Sequence, residues 1–217
     1  EHESLIDVHK DLAQLLSLYL QQPEEAVMHL NKAMEIHREH FGLDADYAQL
    51  LALTAIEETY SWQRYDQALE LLQQAKSIQD RLLDPEDADR ILVLRDLMNV
   101  HVYLGNLETA EQYGREALEL AESNYGPMHA NVHSPLYYLA RVLVAQGRLV
   151  EGISLFERDL ELVQDVYGTD HGITAAFSLN LANALRRSGR SRDALPIAQG
   201  ALAILERTMG KNHSRYA

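Results

Sequence analysis

The sequence predicts an all-α fold, a right-handed α–α superhelix of five helix–turn–helix units. The first observation is a glycine that recurs every 42 residues or a multiple of that interval, at Gly42, Gly126, Gly168 and Gly210. A second glycine series has the same period, at Gly105, Gly147 and Gly189. The third observation is that apolar residues between the glycines follow helical spacing, as at Leu94, Leu97 and Met98. A fixed period of this size is typical of solenoids, in which stacked units share one core.

Within each unit, a first helix, a tight turn, a second helix and a loop follow one another. The units cover roughly residues 5–42, 47–84, 89–126, 131–168 and 173–210 of a single array that spans residues 1–217. Residues 211–217 are expected to begin a further unit or to form a truncated end, so the chain is expected to be a piece of a longer protein.

Two series of small residues mark the second helix of each unit. The series are Ala26, Ala68, Ala110, Gly152, Ala194 and, seven residues later, Ala33, Ala75, Ala117, Asp159, Ala201. Close helix crossings require small side chains at the contact, which explains both series. The carboxylate of Asp159 breaks the second series, and we expect it to reach solvent or to find a partner.

Some positions depart from the regular unit. Gln21 and Gln63 replace the turn glycine in the first two units. Pro135 falls where the first helix of the fourth unit should already be running, so that helix is expected to start late, with Ser134 as its N-cap.

Composition and charge exclude several classes of function. The chain has no cysteine, which excludes disulfides and thiolate metal sites and agrees with a cytoplasmic location. No apolar run reaches the roughly 18 residues of a membrane helix, so no membrane partner is expected. The net charge is −14, but residues 169–217 carry seven basic and three acidic side chains. Nucleic acid is therefore not expected as a partner of the acidic body.

The motifs of the last two units resemble the tetratricopeptide repeat, in the 42-residue subtype of kinesin light chains and many bacterial regulators. They comprise Tyr138-Leu139-Ala140, Gly147-Arg148, Gly168-x-x-His171, Asn180-Leu181-Ala182, Gly189-Arg190, Asp193-Ala194-Leu195 and Gly210-x-x-His213. The resemblance implies a protein-interaction module whose first helices line a concave groove that binds an extended peptide or a helix.

The groove positions implied by the resemblance hold polar and aromatic side chains in units three to five. The candidate peptide-binding residues are Arg95, Asn99, Tyr103, Tyr137, Arg141, Asn180, Asn183 and Arg187. Asparagine amides can bond a peptide backbone, and arginine can hold a carboxylate with two bonds. Arg95 with Asn99 resembles part of a clamp for a terminal carboxylate, but Tyr138 and Ala176 occupy other clamp positions. We therefore expect an extended or acidic peptide, with simple solvation of the groove as the alternative.

No catalytic residue, cofactor site or metal site is predicted. His129, His171 and His213 recur with the period, so they lie in successive loops and are expected to bond loop backbone. His37 and His40 lack the spacing and the glutamate of the zinc peptidase motif. No nucleophile–base pattern or phosphate-binding loop indicates an enzyme.

Two other functions remain open from the sequence. One is a regulatory or sensor region of a larger bacterial-type signalling protein, such as a kinase or a transcription regulator. The other is a scaffold that forms a homo-oligomer through exposed repeat ends.

Overall fold

A computed structural model describes residues 2–209, and this range contains ten α-helices and no β-strand. The helices are α1 (His2–Leu18), α2 (Pro23–His40), α3 (Ala45–Tyr60), α4 (Tyr65–Leu82), α5 (Arg90–Tyr103), α6 (Leu107–Tyr125), α7 (His133–Ala145), α8 (Leu149–Tyr167), α9 (Gly172–Arg187) and α10 (Ser191–Met209). The predicted all-α class is confirmed, and each expected unit contains a pair of helices. Gly210, His213 and the segment 211–217 lie outside the described residues.

The turn inside each helix pair contains one residue in the left-handed backbone region. It is a glycine in the last three pairs, for example Gly147 with φ 82°. In the first two pairs it is Gln21 with φ 53° and Gln63 with φ 55°. Side chains with a Cβ adopt this region at an energetic cost, whereas glycine does not. The period is therefore kept by the backbone even where the glycine is missing from the sequence.

The contacts divide the chain between Tyr113 and Gly114, within α6, into two compact parts. In the first part, α3, α4 and α5 enclose a core that includes Leu51, Leu72 and Leu97. In the second part, α7 to α10 share a core that includes Phe156 and Leu185. A single array over residues 1–217 stays a prediction.

The small residues of the second helices lie where the sequence analysis expects close contact. The alanines of both series are almost completely buried, Ala194 being the most exposed of them at 6%. Asp159 is also buried, and its Oδ1 lies 2.6 Å from Nδ1 of His133. The expected partner of Asp159 is therefore a histidine of α7.

The N-cap of α7 differs from the sequence prediction. The helix begins at His133, directly after a 3-10 turn at Ala130–Val132, so Ser134 lies in the first helical turn and is not the N-cap. Pro135 is tolerated there because the first N–H groups of a helix have no intrahelical partner. The 3-10 turn supplies the entry into the helix that the sequence analysis assigned to a serine cap.

The recurring loop histidines have the expected backbone role. Nδ1 of His129 accepts a hydrogen bond from the N–H of Asn131, and Nδ1 of His171 accepts one from Ile173, each at 3.2 Å. His171 is thereby the N-cap of α9. Within the described part of the chain, no helix combines the length and the apolar character that crossing a bilayer requires.

Candidate peptide-binding surface

The eight predicted binding residues lie on the first helices of three pairs. Arg95, Asn99 and Tyr103 follow one another at four-residue intervals on α5, in the first part. Tyr137 and Arg141 have the same spacing on α7, in the second part. Asn180, Asn183 and Arg187 lie on α9, also in the second part. Because residues four apart lie on one face of a helix, each helix presents its members together.

Arg95 on α5 is engaged within the protein. Its Nε and Nη2 both lie 2.8 Å from Oδ1 of the adjacent Asp96. Asp96 is buried, and its Oδ2 has no hydrogen-bond partner in the described structure. Burial raises the pKa of the Asp96 carboxyl, and the Arg95 guanidinium opposes this shift. The guanidinium of Arg95 is therefore paired with a buried carboxylate of the protein. The sequence did not predict this ion pair.

The other two candidates on α5 differ in their access to solvent. Asn99 is only 7% exposed, so its amide is largely removed from solvent. Tyr103 is 44% exposed, and its ring stacks on Tyr65 with a centroid distance of 4.9 Å. The ring of Tyr60 lies 6.1 Å away with its edge toward Tyr103. Of the three candidates on α5, Tyr103 is thus the one whose aromatic ring is exposed to solvent and fixed by a neighbouring ring.

Tyr137 and Arg141 on α7 form a cation–aromatic group. The guanidinium of Arg141 lies 5.5 Å from the ring centroid of Tyr137 and 5.6 Å from that of Tyr138. Such contacts stabilise and orient an arginine. Tyr137 is half-buried and contacts Phe177 of α9 edge-on at 5.0 Å. Burial raises the pKa of the Tyr137 hydroxyl, which keeps it protonated and able to donate a hydrogen bond.

The candidate side chains on α9 differ in how many of their polar groups are hydrogen-bonded within the protein. Asn180 donates from Nδ2 to the carbonyl of Ala176 at 3.2 Å, so one of its donors is used within the helix. Oδ1 of Asn183 accepts from Nη2 of Arg186 at 2.9 Å. Arg187 is exposed, and no acidic partner lies beside it among residues 2–209. Arg187 and the amide N–H₂ of Asn183 remain available to a ligand.

A cleft between α9 and α10 adds residues that the sequence analysis did not assign to the site. Its volume is about 370 Å³, and Leu179, Ala182, Asn183, Arg186, Ser191, Ala194, Leu195 and Ala198 line it. Most of these side chains are apolar, and Asn183, Arg186 and Ser191 are the polar ones. The helical spacing of Leu195, Ala198 and Leu202 was the signal in the sequence that could have indicated an apolar face.

Comparisons with known proteins address the fold and the family. The chain is 25% identical over 182 residues to a clustered mitochondria protein homolog of Aspergillus terreus. The matched region covers 83% of this chain and 14% of the relative. The chain thus spans about a seventh of the length of this relative. A crystal structure of nearly identical TPR-like repeats of a putative kinesin light chain from Podosopora anserina is 20% identical, with a TM-score of 0.79 over 98% of this chain and 100% of that chain.

A second solved structure supports the same fold. BtubC (BKLC) from P. vanneervenii is 20% identical, with a TM-score of 0.74 over 98% of this chain and 91% of that chain. These likenesses agree with the superhelical repeat fold and with the kinesin-light-chain-like subtype. The family model of the tetratricopeptide repeat matches residues 63–123 and 131–217, which is more than half of the sequence. The chain therefore belongs to the tetratricopeptide repeat family.

Proposed function

We propose that this chain is a protein-interaction module in which the exposed faces of α7 and α9 bind an acidic peptide, extended or helical. Tetratricopeptide repeats serve in general as protein-interaction modules, and such scaffolds are typically not enzymes. The observation that carries the finer proposal is the set of exposed cationic and amide groups on these two helices, formed by Arg141, Asn183 and Arg187.

The chemistry of these groups favours an acidic ligand. Arg141 is held over two tyrosine rings, so less side-chain freedom is lost when it bonds a carboxylate. Residues 169–217 carry seven basic and three acidic side chains, in contrast to the acidic remainder of the chain. An excess of basic side chains attracts an acidic peptide and repels a basic one. The apolar cleft between α9 and α10 would receive an apolar side chain of the same ligand.

The candidate residues of the first part are less suited to binding a ligand. Tyr103 is exposed and stacked, but Arg95 is paired with Asp96 and Asn99 is buried. Binding through Arg95 would require its guanidinium to leave an internal carboxylate. We therefore assign the main contacts to α7 and α9, and treat Arg95 and Asn99 as residues that shape the face of α5.

A peptide-array screen followed by affinity measurements on the best acidic peptide tests this function. Arg141→Ala and Arg187→Ala should each weaken binding about 10- to 100-fold, since a hydrogen bond to a charged group contributes about 1.5–3 kcal/mol. Arg192→Ala is the matched control, because Arg192 is an exposed arginine on α10. Equal affinity of the wild type and both test variants would contradict the assignment.

Self-association is a second candidate, and the exposed face of α10 favours it. Leu195 is 58% exposed, whereas Ile153, one period earlier on α8, is 4% exposed. Leu202 is also exposed on the same face of α10. Light scattering over a range of concentrations tests this candidate. A mass that rises with concentration in the wild type, but not in Leu195→Gln, supports it, and a constant monomer mass contradicts it.

The remaining expectations stay predictions. The chain spans only a small share of the length of its longer relatives, and a regulatory role within a larger signalling protein stays a prediction. A cytoplasmic location is likewise a prediction that cell fractionation tests.

A further inference from the structure

One cavity of the first part is lined by an unusual set of side chains. Its volume is about 180 Å³, and it lies among α1, α2 and the start of α3. The charged and imidazole groups that line it are Glu3, Asp7, Lys10, His37, Asp44 and Asp46. Lys10 lies 3.5 Å from Asp7, so one of the four carboxylates has a lysine partner. The cavity is therefore acidic, with a histidine in its wall.

Three of these residues converge on one point. His37, Asp44 and Asp46 each offer one ligand atom, and the three atoms lie within 4.8 Å of one another. Nε2 of His37 is 3.4 Å from Oδ1 of Asp44. Two ligand atoms bound to one Zn²⁺ at 2.0–2.1 Å in tetrahedral geometry lie about 3.3 Å apart. The separation of Nε2 of His37 and Oδ1 of Asp44 is close to this edge length, and the three ligand atoms lie no more than 4.8 Å apart.

His37 supplies an independent observation. The residue is 5% exposed, and its Nδ1 has no hydrogen-bond partner within the described part of the chain. Its Nε2 lies beside Asp44, whose Oδ1 also accepts the N–H of Tyr47. A buried polar group without a partner carries a desolvation cost, and here no hydrogen bond between Nδ1 and residues 2–209 fixes the ring. The other ring nitrogen, Nε2, is the atom that faces Asp44 in the cavity.

The second unit shows what this position does without an ion. Gln79 lies one period after His37 and is also buried. Its amide donates to the carbonyl of Asp89 at 3.0 Å, which satisfies the side chain within the loop. The position of Asp46 is occupied by Ala88 one period later. The histidine and the second aspartate are therefore not requirements of the repeat.

From this convergence we propose that His37, Asp44 and Asp46 bind a divalent transition-metal ion of the Zn²⁺ class. Imidazole nitrogen with carboxylate oxygen suits such ions, whereas Mg²⁺ prefers oxygen ligands alone. His37 belongs to α2 and Asp46 to α3, with Asp44 as the N-cap of α3. The ion joins the end of the first helix pair to the start of the second. The proposal departs from the sequence prediction of no metal site, which considered His37 only together with His40.

The experiment is a calorimetric titration of the full chain with ZnCl₂, with and without excess Mg²⁺. We expect saturable binding of one Zn²⁺ that Mg²⁺ does not displace. His37→Gln copies the side chain of the second unit, so it should preserve the fold while weakening Zn²⁺ binding at least about tenfold. Asp46→Asn should have the same effect. At 100 times the dissociation constant, Zn²⁺ should raise the Tm of the wild type by about 5–10 °C, and chelation should reverse the shift.

The matched control is His29→Gln, because Nδ1 of His29 lies 2.8 Å from Nδ1 of His9, in a close histidine pair of the same part that is not included in the proposed site. This variant should bind Zn²⁺ with wild-type affinity. The proposal is overturned if the wild type shows no saturable Zn²⁺ binding, or if His37→Gln binds as tightly as the wild type. Loss of binding in His29→Gln alone would place the ion at the His9–His29 pair and would also overturn it. Circular dichroism of each variant confirms that helix content is unchanged.

Discussion

Replacing Gly152 by alanine should destabilise the protein, although the same change normally strengthens a helix. Gly152 is buried in the first turns of α8. A Cβ at this position would lie 2.6 Å from Cγ2 of Val144, 3.1 Å from the carbonyl oxygen of Ala140 and 3.2 Å from the backbone nitrogen of Val144. Favourable contacts between carbon atoms lie at about 3.5–4.0 Å. Val144 must therefore move, and α7 and α8 must separate.

The magnitude follows from two opposing effects. Overpacking a buried contact costs about 1–3 kcal/mol. Alanine is favoured over glycine inside a helix by about 1 kcal/mol. The net change in the free energy of unfolding is a loss of about 1 kcal/mol. Because Val144 is β-branched, it has essentially one rotamer in a helix and cannot rotate away freely. In a Val144→Ala background the closest contact is absent, so Gly152→Ala should cost less there.

Urea unfolding followed by far-ultraviolet circular dichroism measures this change. Gly200→Ala is the matched control, because Gly200 lies in α10 and, apart from its own helix backbone, no atom of residues 2–209 lies within 4 Å of an added Cβ. That variant should be more stable than the wild type by about 0.5–1 kcal/mol. If Gly152→Ala is as stable as the wild type or gains as much as Gly200→Ala, the close approach of α7 to α8 does not constrain this position, and the steric explanation of the small-residue series fails.

Three further predictions concern the turns and the buried titratable groups. Gln63→Gly should stabilise the chain by about 0.5–1 kcal/mol in urea unfolding, because it removes the left-handed strain at φ 55°, and an unchanged or lower midpoint would contradict this. Burial lowers the pKa of His101 below 6.5, so the unfolded state binds more protons and stability should fall as pH drops below 6.5. His101→Gln should flatten that decline in a series of unfolding midpoints. Burial raises the pKa of Asp159 above 3.8, against the effect of His133, so the folded state binds more protons and this group's contribution should fall as pH rises above 3.8. Asp159→Asn should remove that fall, and an identical pH profile in wild type and variant would count against the assignment.

Local chemistry explains why the helix pairs could be predicted from the sequence. A left-handed turn favours glycine and a close helix crossing favours a small residue such as alanine. These residues therefore recur in the sequence with the period of the structural units. Gln21 and Gln63 show the limit of this reasoning, because the backbone keeps the turn without the preferred residue. The late start of α7 agrees with the prediction, but its N-cap was predicted wrongly, because a 3-10 turn leads into the helix and the N-cap is Val132.

The candidate site was less predictable, because exposure and pairing depend on neighbours. Four-residue spacing placed Arg95 and Asn99 on one face of α5, but it carried no information on the pairing of Arg95 with Asp96 or on the burial of Asn99. The groove positions implied by the resemblance identified Tyr137 and Arg141, whose contact is local to one helix and so follows from their four-residue spacing. The cleft between α9 and α10 depends on two helices and was missed.

The sequence by itself determined the all-α class, the 42-residue register and the family of this protein, since turns and helix crossings impose their requirements on single positions. Only the tertiary structure decided which side chains of the predicted face remain available to a ligand. It also brought His37, Asp44 and Asp46 within reach of one ion. Burial, ion pairing and convergence of ligand atoms are properties of packed elements, and a linear pattern of residue types does not contain their distances.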